Sequence, residues 1–265
     1  MTRPPNVLAR RHRADVAAFL DGNVLLAFDY DGTLAPIVPV PGHADMRPET
    51  RRLLRLVARR YPCIVISGRA LDDVTERLSG IPLWYVFGNF GHEPAPPRSG
   101  ASPYVRRWVR ALTARLPAHH GLVIEAKTYS VTIHYRHAPH KERARKAIAA
   151  AIGTLTDARA LGSPYAVTLL PHQGPDKGVA LQRARRLFHC AAALYVGDDE
   201  TDEDAFASDT PERLLSIRVG PARGSHARYR LVRQADIDDL LRLLVALCPR
   251  PAIRVPPRVS RRRRA

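Results

Sequence analysis

An unbroken apolar run followed by two aspartates constrains the fold of this 265-residue chain more than any other stretch. The run Val24–Phe28 reads VLLAF, and Asp29 and Asp31 follow it within FDYDGTLAPI. A strand without a polar face is typical of a parallel sheet that is covered on both sides. Carboxylates at the mouth of a core are costly unless a partner compensates their charge. The pair therefore predicts a functional site at the end of a buried strand.

Further apolar runs alternate with helical patterns, as expected for a parallel sheet with helices on both faces. The predicted core elements are the strands Val24–Asp29, Cys63–Ser67, Leu83–Phe87, Leu194–Gly197 and Ser216–Gly220, a helix from Pro48 and a closing helix Asp236–Leu247. The middle of the chain reads differently, with a helix over 103–116, a hairpin of Leu122–Ala126 with Val131–Tyr135, a helix from Pro139 to about Leu155 and a strand Ala166–Leu170. We predict an α/β fold, in which a doubly wound parallel-sheet (Rossmann-like) core carries an inserted smaller α+β cap domain.

The predicted boundaries follow composition. The core domain takes residues 1–100 and 171–250, the cap takes 101–170, and the stretch Pro94–Gly100 reads as a linker. Residues 251–265 end in four arginines and are expected to form a disordered basic tail.

The formal net charge of +17 raises the alternative of a basic nucleic-acid-binding protein. Only four of the 42 basic residues are lysine, which looks more like codon composition than a designed surface. That alternative predicts salt-dependent binding that survives the loss of Asp29. We expect no specific nucleic-acid partner and no membrane partner.

Cysteine and histidine spacing indicates neither a disulfide framework nor a zinc site. Cys63, Cys190 and Cys248 are scattered and form no C-x-x-C pair. His134, His137 and His140 have metal-like spacing, but they span a strand end and a Pro139 turn, which favours separate roles. The N-terminus lacks the apolar core of a signal peptide, and a cytoplasmic location is expected.

Polar residues follow the other predicted strands as well. Ser67-Gly68-Arg69 opens a helix whose N–H groups can hold phosphate, and Lys177 opens another and can supply a point charge. The Gly32-Thr33 turn is expected to expose backbone N–H groups that suit an anion. The acidic run from Asp198 supplies oxygen ligands for a hard cation such as Mg²⁺. It is not a calcium loop, because such a loop needs glycine at the sixth position.

This ordered set, D-x-D-G-T, serine, lysine and G-D-D-x-x-D, resembles the haloacid dehalogenase superfamily of phosphotransferases. The longer forms DYDGTLAPI, SGR, GNFGHE, EAKTYSVTIHYR and GDDETDEDAF are similar to the trehalose-6-phosphate phosphatases. The resemblance runs from about residue 24 to 207. It implies a Mg²⁺-dependent phosphatase that hydrolyses a small sugar phosphate, trehalose 6-phosphate, to trehalose and phosphate.

The resemblance also implies a role for each residue. Asp29 would be the nucleophile that forms an aspartyl-phosphate, and Asp31 would be the general acid and base. The other implied roles are these: Mg²⁺ on the Asp29 carboxylate, the Asp31 backbone carbonyl and Asp198; orientation of the metal's waters by Asp199 and Asp202; phosphate binding by Ser67, Gly68, Arg69 and Lys177; sugar binding by Asn89, Glu125, Lys127 and Arg136.

Two alternatives at single residues stay open, and so does the identity of the sugar. Arg69 is equally well interpreted as an exposed arginine at a helix start, and Glu125 with Lys127 as a surface ion pair. The family usually has histidine at the position of Phe90, and an acidic and basic pair at the positions of Thr168 and Leu170. A capped phosphatase of the same superfamily that acts on another sugar phosphate is therefore the alternative function.

Overall fold

The computed structural model describes residues 3–94, 100–116, 121–163, 165–221 and 223–248. The predicted basic tail 251–265 and most of the predicted linker Pro94–Gly100 lie outside the described residues. The chain divides into two compact units. The core unit comprises Met1–Pro94 and Pro175–Ala265, and the inserted unit comprises Ala95–Gly174.

Strands and helices alternate in the core unit and mix in the inserted one. The strands are β1 (Val24–Phe28), β2 (Cys63–Ile66), β3 (Tyr85–Phe87), β4 (Val123–Ala126), β5 (Val131–His134), β6 (Ala158–Ser163), β7 (Ala166–Pro171), β8 (Ala192–Gly197), β9 (Leu214–Val219) and β10 (Tyr229–Leu231). The helices are α1 (Arg13–Leu20), α2 (Pro48–Ala58), α3 (Leu71–Arg77), α4 (Pro103–Arg115), α5 (Lys141–Ile152), α6 (Lys177–Leu187), α7 (Asp202–Phe206) and α8 (Ile237–Leu247).

The core unit holds a six-stranded sheet in the order β10-β9-β8-β1-β2-β3, with every neighbouring pair parallel. The chain starts in the middle of this sheet, builds one half outward from β1 and then returns to build the other half from β8. The strand order therefore reverses between β1 and β8, which is where doubly wound folds bind their ligands.

Each face of this sheet is buried under helices, which explains the unbroken apolar runs. Leu26 and Phe28 belong to one core cluster, in which residues of α2 and α8 also lie. Leu25 and Ala27 belong to a second cluster on the opposite face, together with residues of α6 and α7. Alternate residues of β1 thus point to two different cores, as the period of a strand requires.

The inserted unit holds an antiparallel sheet in the order β4-β5-β7-β6. Val131 and Ile133 of β5 and Leu169 of β7 are buried in one cluster with residues of α4 and α5. The neighbouring residues of the same strands, among them Thr132 and Thr168, point to the opposite face of the sheet. The predicted fold class, a parallel α/β core with an inserted α+β unit, is confirmed.

The N-terminal segment covers the outer edge of the core sheet. Val7 N donates to the Arg230 carbonyl over 3.1 Å, and Arg230 N donates to the Pro5 carbonyl over 2.9 Å. Strand β10 therefore does not end the sheet with unpaired backbone groups. None of the helices in the described residues has both the length and the apolar character that a bilayer span requires.

Candidate active site

The candidate active site lies where the strand order of the core sheet reverses. Asp29 directly follows β1, and Asp198 directly follows β8, its hydrogen-bonded neighbour. The backbone N of Asp29 donates to the Val196 carbonyl over 2.9 Å, so the pairing of the two strands fixes the position of the aspartate. Both carboxylates consequently stand at the same edge of the sheet.

The Asp29 side chain is buried and faces a buried lysine. Lys177 Nζ lies 3.1 Å from Asp29 Oδ1, and both side chains are at most 5% exposed. Burial raises the pKa of Asp29 well above its usual value; Lys177 opposes this, while Asp202 and Asp198 add to it. Negative charge is thus in excess around one ammonium group.

Lys177 is held by this excess of carboxylates. Its Nζ is 2.8 Å from Asp202 Oδ1 and 3.8 Å from Asp199 Oδ1, in addition to its contact with Asp29. Burial acts to lower the pKa of Lys177, but the surrounding carboxylates outweigh burial and raise it. The ammonium group therefore stays charged. A buried charged lysine at the start of α6, beside the aspartate that follows β1, is a suitable partner for a phosphoryl group.

Asp202 is fully occupied by hydrogen-bond donors. Its Oδ1 accepts from Lys177 Nζ over 2.8 Å and from the Tyr195 hydroxyl over 2.7 Å. Its Oδ2 accepts from the backbone N–H groups of Asp198 and Asp199, both over 2.9 Å. Four donors match the roughly four lone-pair positions of a carboxylate. Asp202 therefore holds its neighbours in place and has no oxygen left for a cation.

Within the described residues, Asp29, Asp198 and Asp202 form the one cluster of three or more His, Cys, Asp or Glu side chains that could hold a metal ion. Their carboxylate oxygens lie within 4.8 Å of one another. Burial raises the pKa of Asp198 well above its usual value, and the charges of Asp202 and Asp199 raise it further. A hard divalent cation, bound by oxygen, would relieve this repulsion. Because the oxygens of Asp202 are occupied, Asp29 and Asp198 are the side chains that fit such an ion.

Two glycines permit the close approach of these carboxylates. A Cβ on Gly32 would lie 2.1 Å from Asp198 Oδ2, and a Cβ on Gly197 would lie 2.2 Å from Asp202 Cγ. Gly32 also has a φ of +76°, which disfavours other residues. The sequence suggested that the Gly32 turn would present N–H groups to an anion. That suggestion is corrected for Gly32 itself, whose N–H donates to the Ala35 carbonyl over 2.8 Å.

Asp31 pairs with Arg69 rather than with the metal-ligating cluster. Arg69 Nε lies 2.7 Å from Asp31 Oδ2, and Arg69 Nη2 lies 2.6 Å from Asp31 Oδ1. The guanidinium also donates to Asp73 Oδ2 over 2.8 Å and lies 5.5 Å from the centre of the Tyr30 ring. Its side chain is 11% exposed. Arg69 is thus not an exposed arginine at a helix start, which was one of the two interpretations of the sequence. Its role in phosphate binding stays a prediction.

Ser67 and Asn89 lie close together beside this pair. Ser67 follows β2 and is fully buried, and its hydroxyl accepts from the Arg69 N–H over 3.1 Å. Asn89 follows β3 and is 2% exposed, and its Oδ1 has no hydrogen-bond partner among the described residues. An unsatisfied buried acceptor is costly, and no described group of the protein supplies the missing donor. The role of Asn89 in sugar binding stays a prediction.

The position of the Phe90 ring explains why Ser67 is followed by a glycine, Gly68, and not by a residue with a side chain. A Cβ on Gly68 would lie 2.7 Å from the Phe90 ring, so the ring packs directly on the Ser67-Gly68-Arg69 loop. Phe90 has a φ of +59°, which is costly for a bulky residue. Strain of this kind is concentrated at functional sites.

The predicted sugar-binding residues of the inserted unit lie on or near its antiparallel sheet. Glu125 Oε2 is 2.9 Å from His134 Nε2, and Glu125 Oε1 is 3.9 Å from Lys127 Nζ. Thr132, directly opposite Glu125, shares a 3.1 Å hydrogen bond with the Thr168 hydroxyl. These side chains form a polar patch on the face opposite to α4 and α5. Arg136 follows β5, and its guanidinium lies 5.8 Å from the centre of the Tyr165 ring.

The structure thus brings one group of the predicted residues of the core unit together. Asp29, Asp198, Asp199, Asp202 and Lys177 form one cluster. The sequence interpretation missed Tyr195, and it named Thr33 only for its backbone. The Thr33 hydroxyl lies 3.3 Å from Asp198 Oδ1. One signal was available for Tyr195: a hydroxyl in an otherwise apolar buried strand must find a partner.

Known proteins resemble this chain in both sequence and fold. The family model described as trehalose-phosphatase matches residues 27–233. A trehalose-phosphate phosphatase of Mycobacterium tuberculosis is 36% identical over 197 residues, which cover 68% of this chain and 49% of that protein. A probable trehalose-phosphate phosphatase of Oryza sativa is 27% identical over 280 residues, which cover 93% of this chain and 76% of that protein.

A solved structure extends the likeness to the fold. The C-terminal domain of the trehalose-6-phosphate phosphatase of C. albicans has a TM-score of 0.73 at 20% identity, covering 92% of this chain and 98% of that one. The chain spans about half the length of the mycobacterial relatives that it matches. The extent of the family match and the identity to these relatives lead to one conclusion: the chain belongs to the trehalose-phosphatase family.

Proposed function

We propose that this chain is a Mg²⁺-dependent phosphatase that hydrolyses trehalose 6-phosphate to trehalose and phosphate. Membership of the trehalose-phosphatase family supports the reaction class and the substrate. The observation that carries the chemistry is the buried Asp29 carboxylate, 3.1 Å from the Lys177 ammonium and clustered with Asp198. A buried carboxylate can attack the phosphorus atom of a phosphoryl group when a neighbouring cation neutralises the negative charge of the phosphoryl oxygens.

The first step transfers the phosphoryl group to the protein. Asp29 attacks phosphorus, an acyl-phosphate bond forms, and the bond from phosphorus to the sugar oxygen breaks. Asp31 delivers a proton to that oxygen, so trehalose leaves as a neutral alcohol. Arg69 donates to both oxygens of Asp31 in this structure, so Asp31 must first release one of these hydrogen bonds and take up a proton, which it then delivers to the sugar oxygen.

The second step returns the protein to its starting state. Asp31 now accepts a proton from a water molecule, which attacks the phosphorus of the aspartyl-phosphate. The bond from Asp29 to phosphorus breaks, inorganic phosphate leaves, and the carboxylate is regenerated. Lys177 and the Ser67-Gly68-Arg69 loop hold the phosphoryl oxygens through both steps.

The proposed metal site uses Asp29, Asp198 and the backbone carbonyl of Asp31. When bound, Mg²⁺ supplies positive charge to the phosphoryl oxygens and so stabilises the charge of the transition state. Asp202 fixes the Asp198 and Asp199 backbone through its Oδ2. Asp199 accepts two hydrogen bonds from Thr201, over 2.5 and 2.8 Å, and we assign it to orienting water around the metal.

The proposed sugar contacts are Asn89 of the core unit and Glu125, Lys127 and Arg136 of the inserted unit. The substrate is a small sugar phosphate, and we place the reaction in the cytoplasm. Phe90, Thr168 and Leu170 motivate the second candidate, a phosphatase of the same superfamily that acts on another sugar phosphate. Thr168 presents a hydroxyl where a charged side chain is usual, so this patch offers fewer charged contacts to a sugar.

The test measures phosphate release from trehalose 6-phosphate with Mg²⁺ and with EDTA. We expect metal-dependent turnover that is lost in Asp29→Asn and retained in Asp239→Asn, a matched change at an exposed aspartate that pairs with Arg242. The ratio of kcat/KM for trehalose 6-phosphate to that for glucose 6-phosphate separates the two candidates. Equal values would refute the trehalose assignment, and full activity of Asp29→Asn would refute the mechanism.

A further inference from the structure

Tyr195 lies beneath the candidate active site and takes part in none of the steps above. It belongs to β8, two residues before Gly197, and its side chain is completely buried. Its ring packs edge-on against Phe206 of α7, with the ring centres 5.8 Å apart. Its hydroxyl donates to Asp202 Oδ1 over 2.7 Å. The one polar atom of this side chain is therefore directed at the carboxylate that holds Lys177.

The Tyr195 hydroxyl completes the set of donors around Asp202. The other three donors are Lys177 Nζ and the backbone N–H groups of Asp198 and Asp199. The two backbone donors are fixed, because both belong to the loop that follows β8. The Tyr195 hydroxyl and the Lys177 ammonium both donate to Asp202 Oδ1. Because the hydroxyl occupies one lone-pair position of this oxygen, it limits the positions that are left for Lys177.

Lys177 divides its three N–H donors between the carboxylates around it. Its Nζ is 2.8 Å from Asp202 and 3.1 Å from Asp29. Without the tyrosine hydroxyl, Asp202 Oδ1 would keep an empty acceptor position in a buried site, which is costly. Among the described groups that contact Oδ1, Lys177 alone would remain to fill that position. The ammonium would move toward Asp202 and away from Asp29.

We propose that Tyr195 is a positioning residue that keeps the Lys177 ammonium directed at Asp29 and at the transferring phosphoryl group. The inference rests on the proposed phosphatase function, because it assigns Tyr195 an effect on phosphoryl transfer. The proposed role of Tyr195 differs from a role in packing alone in one respect. The ring of Tyr195 supports the fold, whereas its hydroxyl acts on the position of a single cation.

The test compares Tyr195→Phe with Tyr61→Phe. Tyr61 is a matched control, because it is also buried in the core unit and its hydroxyl donates to the Leu244 carbonyl over 3.2 Å, on the other face of the sheet. We expect kcat for trehalose 6-phosphate to fall about tenfold in Tyr195→Phe, the size of one lost hydrogen bond in the transition state. KM should stay within about twofold of the wild-type value, and Tyr61→Phe should keep the wild-type kcat.

A second measurement does not depend on the identity of the sugar. Beryllium fluoride is a mimic of the phosphoryl group, and its binding with Mg²⁺ can be followed by calorimetry. We expect about tenfold weaker binding to Tyr195→Phe and unchanged binding to Tyr61→Phe. Inhibition by trehalose, which carries no phosphoryl group, should be equal in all three proteins.

The outcomes separate the two proposals. Tyr195→Phe with wild-type kcat and wild-type beryllium fluoride affinity would overturn the positioning role, even if its thermal stability is lower. Equal losses in both variants would also overturn it. A wild-type protein that binds beryllium fluoride but does not hydrolyse trehalose 6-phosphate would refute the proposed substrate, and the calorimetry would still decide the role of Tyr195. Failure of the wild-type protein to bind beryllium fluoride would overturn both.

Discussion

Lys177 Nζ and Asp29 Oδ1 lie 3.1 Å apart at the end of β1, and both groups are buried. The lysine is the one described cation in direct contact with this group of carboxylates, which also contains Asp199 and Asp202. The pair therefore has two consequences. It supplies counter-charge to the buried carboxylates, and it places positive charge beside the proposed nucleophile.

Removal of the lysine should destabilise the protein as well as inactivate it. In Lys177→Met the buried carboxylates lose their counter-charge, and breaking a buried pair in this way costs about 3–5 kcal/mol of the free energy of unfolding. Urea denaturation measures this change. Lys146→Met, at an exposed position of α5, is the control and should alter the free energy of unfolding by less than about 0.5 kcal/mol. Mg²⁺ should restore part of the stability of Lys177→Met; equal stability of the two variants in EDTA would contradict the prediction.

A methyl group on Gly32 should damage the proposed metal site. The added Cβ would lie 2.1 Å from Asp198 Oδ2, so the carboxylate must move. Gly32→Ala should weaken Mg²⁺ binding, measured by calorimetry, by about tenfold or more. Gly220→Ala is the matched control, because Gly220 has a similar φ of +80° but nothing within 4 Å of the added Cβ. If the two variants bind Mg²⁺ equally, backbone strain rather than the clash with Asp198 explains any loss.

The stability of the metal-free protein should fall as pH rises. Burial raises the pKa of Asp29 and Asp198 above the usual value of 3.8, so the folded state keeps protons that the unfolded state releases. The free energy of unfolding then decreases from about pH 4 up to the raised pKa values. Urea midpoints in EDTA between pH 4 and pH 8 measure this slope.

Asp198→Asn should flatten this slope, because it removes one of the buried carboxyl groups whose pKa is raised. Asp45→Asn is the control and should not flatten it, because the Asp45 side chain is 71% exposed. Mg²⁺ should stabilise the protein more at pH 8 than at pH 5, since the ion needs the ionised carboxylates. An identical slope in both variants would show that other groups cause the pH dependence.

The bidentate contact of Arg69 with Asp31 should matter for turnover. Arg69→Lys keeps the charge but cannot donate to both oxygens in the same plane, and we expect kcat to fall about tenfold. Arg77→Lys is the control, because Arg77 shares Asp73 with Arg69 but its described contacts do not include Asp31. A loss of equal size in Arg77→Lys would attribute the effect to the Asp73 contact and not to Asp31.

The polar patch of the inserted unit should affect sugar binding and not the phosphoryl chemistry. Glu125→Gln should raise KM for trehalose 6-phosphate about tenfold, because a charge-assisted hydrogen bond to a sugar hydroxyl is lost. With p-nitrophenyl phosphate, which has no sugar, kcat and KM should stay unchanged. Glu142→Gln removes an exposed glutamate from α5, where it pairs with Arg145, and serves as the control. An unchanged KM in Glu125→Gln would favour the alternative interpretation, in which Glu125 only forms a surface ion pair with Lys127.

Much of the core could be predicted because burial leaves a clear pattern in the sequence. Strands β1, β2 and β8 lie in the middle of the sheet, are buried on both faces and read as continuous apolar runs. Strand β6 was not predicted: ARALGS contains glycine, serine and arginine and has no apolar alternation. It is held at the edge of the sheet by its pairing with β7, the next strand in the chain, and backbone pairing of this kind requires no particular side chains.

The candidate site shows the same division. The sequence predicted that Asp29 and Asp198 lie at the ends of strands of one parallel sheet, because the apolar runs before them are typical of such strands. It did not predict that the two strands are neighbours. It did not predict that two nitrogens of Arg69 donate hydrogen bonds to the two oxygens of Asp31. Nor did it predict that both oxygens of Asp202 accept hydrogen bonds from other groups of the protein. Those facts depend on side-chain conformations and on donors from several elements. A motif names the residue types at a site but not which of them are already engaged.

The pairing of Val7 with Arg230 has a consequence for synthesis on the ribosome. The N-terminal segment and its partner strand are more than 220 residues apart, as in the contact of Arg230 Nε with the Pro4 carbonyl over a separation of 226. At about 5–20 residues per second, β10 is made on the order of ten to forty seconds after the segment that covers it. Strand β8 is likewise made long after β1, its neighbour in the sheet. The nascent chain must therefore carry β1 with only one of its two neighbours until β8 has been made, and the sheet is complete only after β10 has emerged.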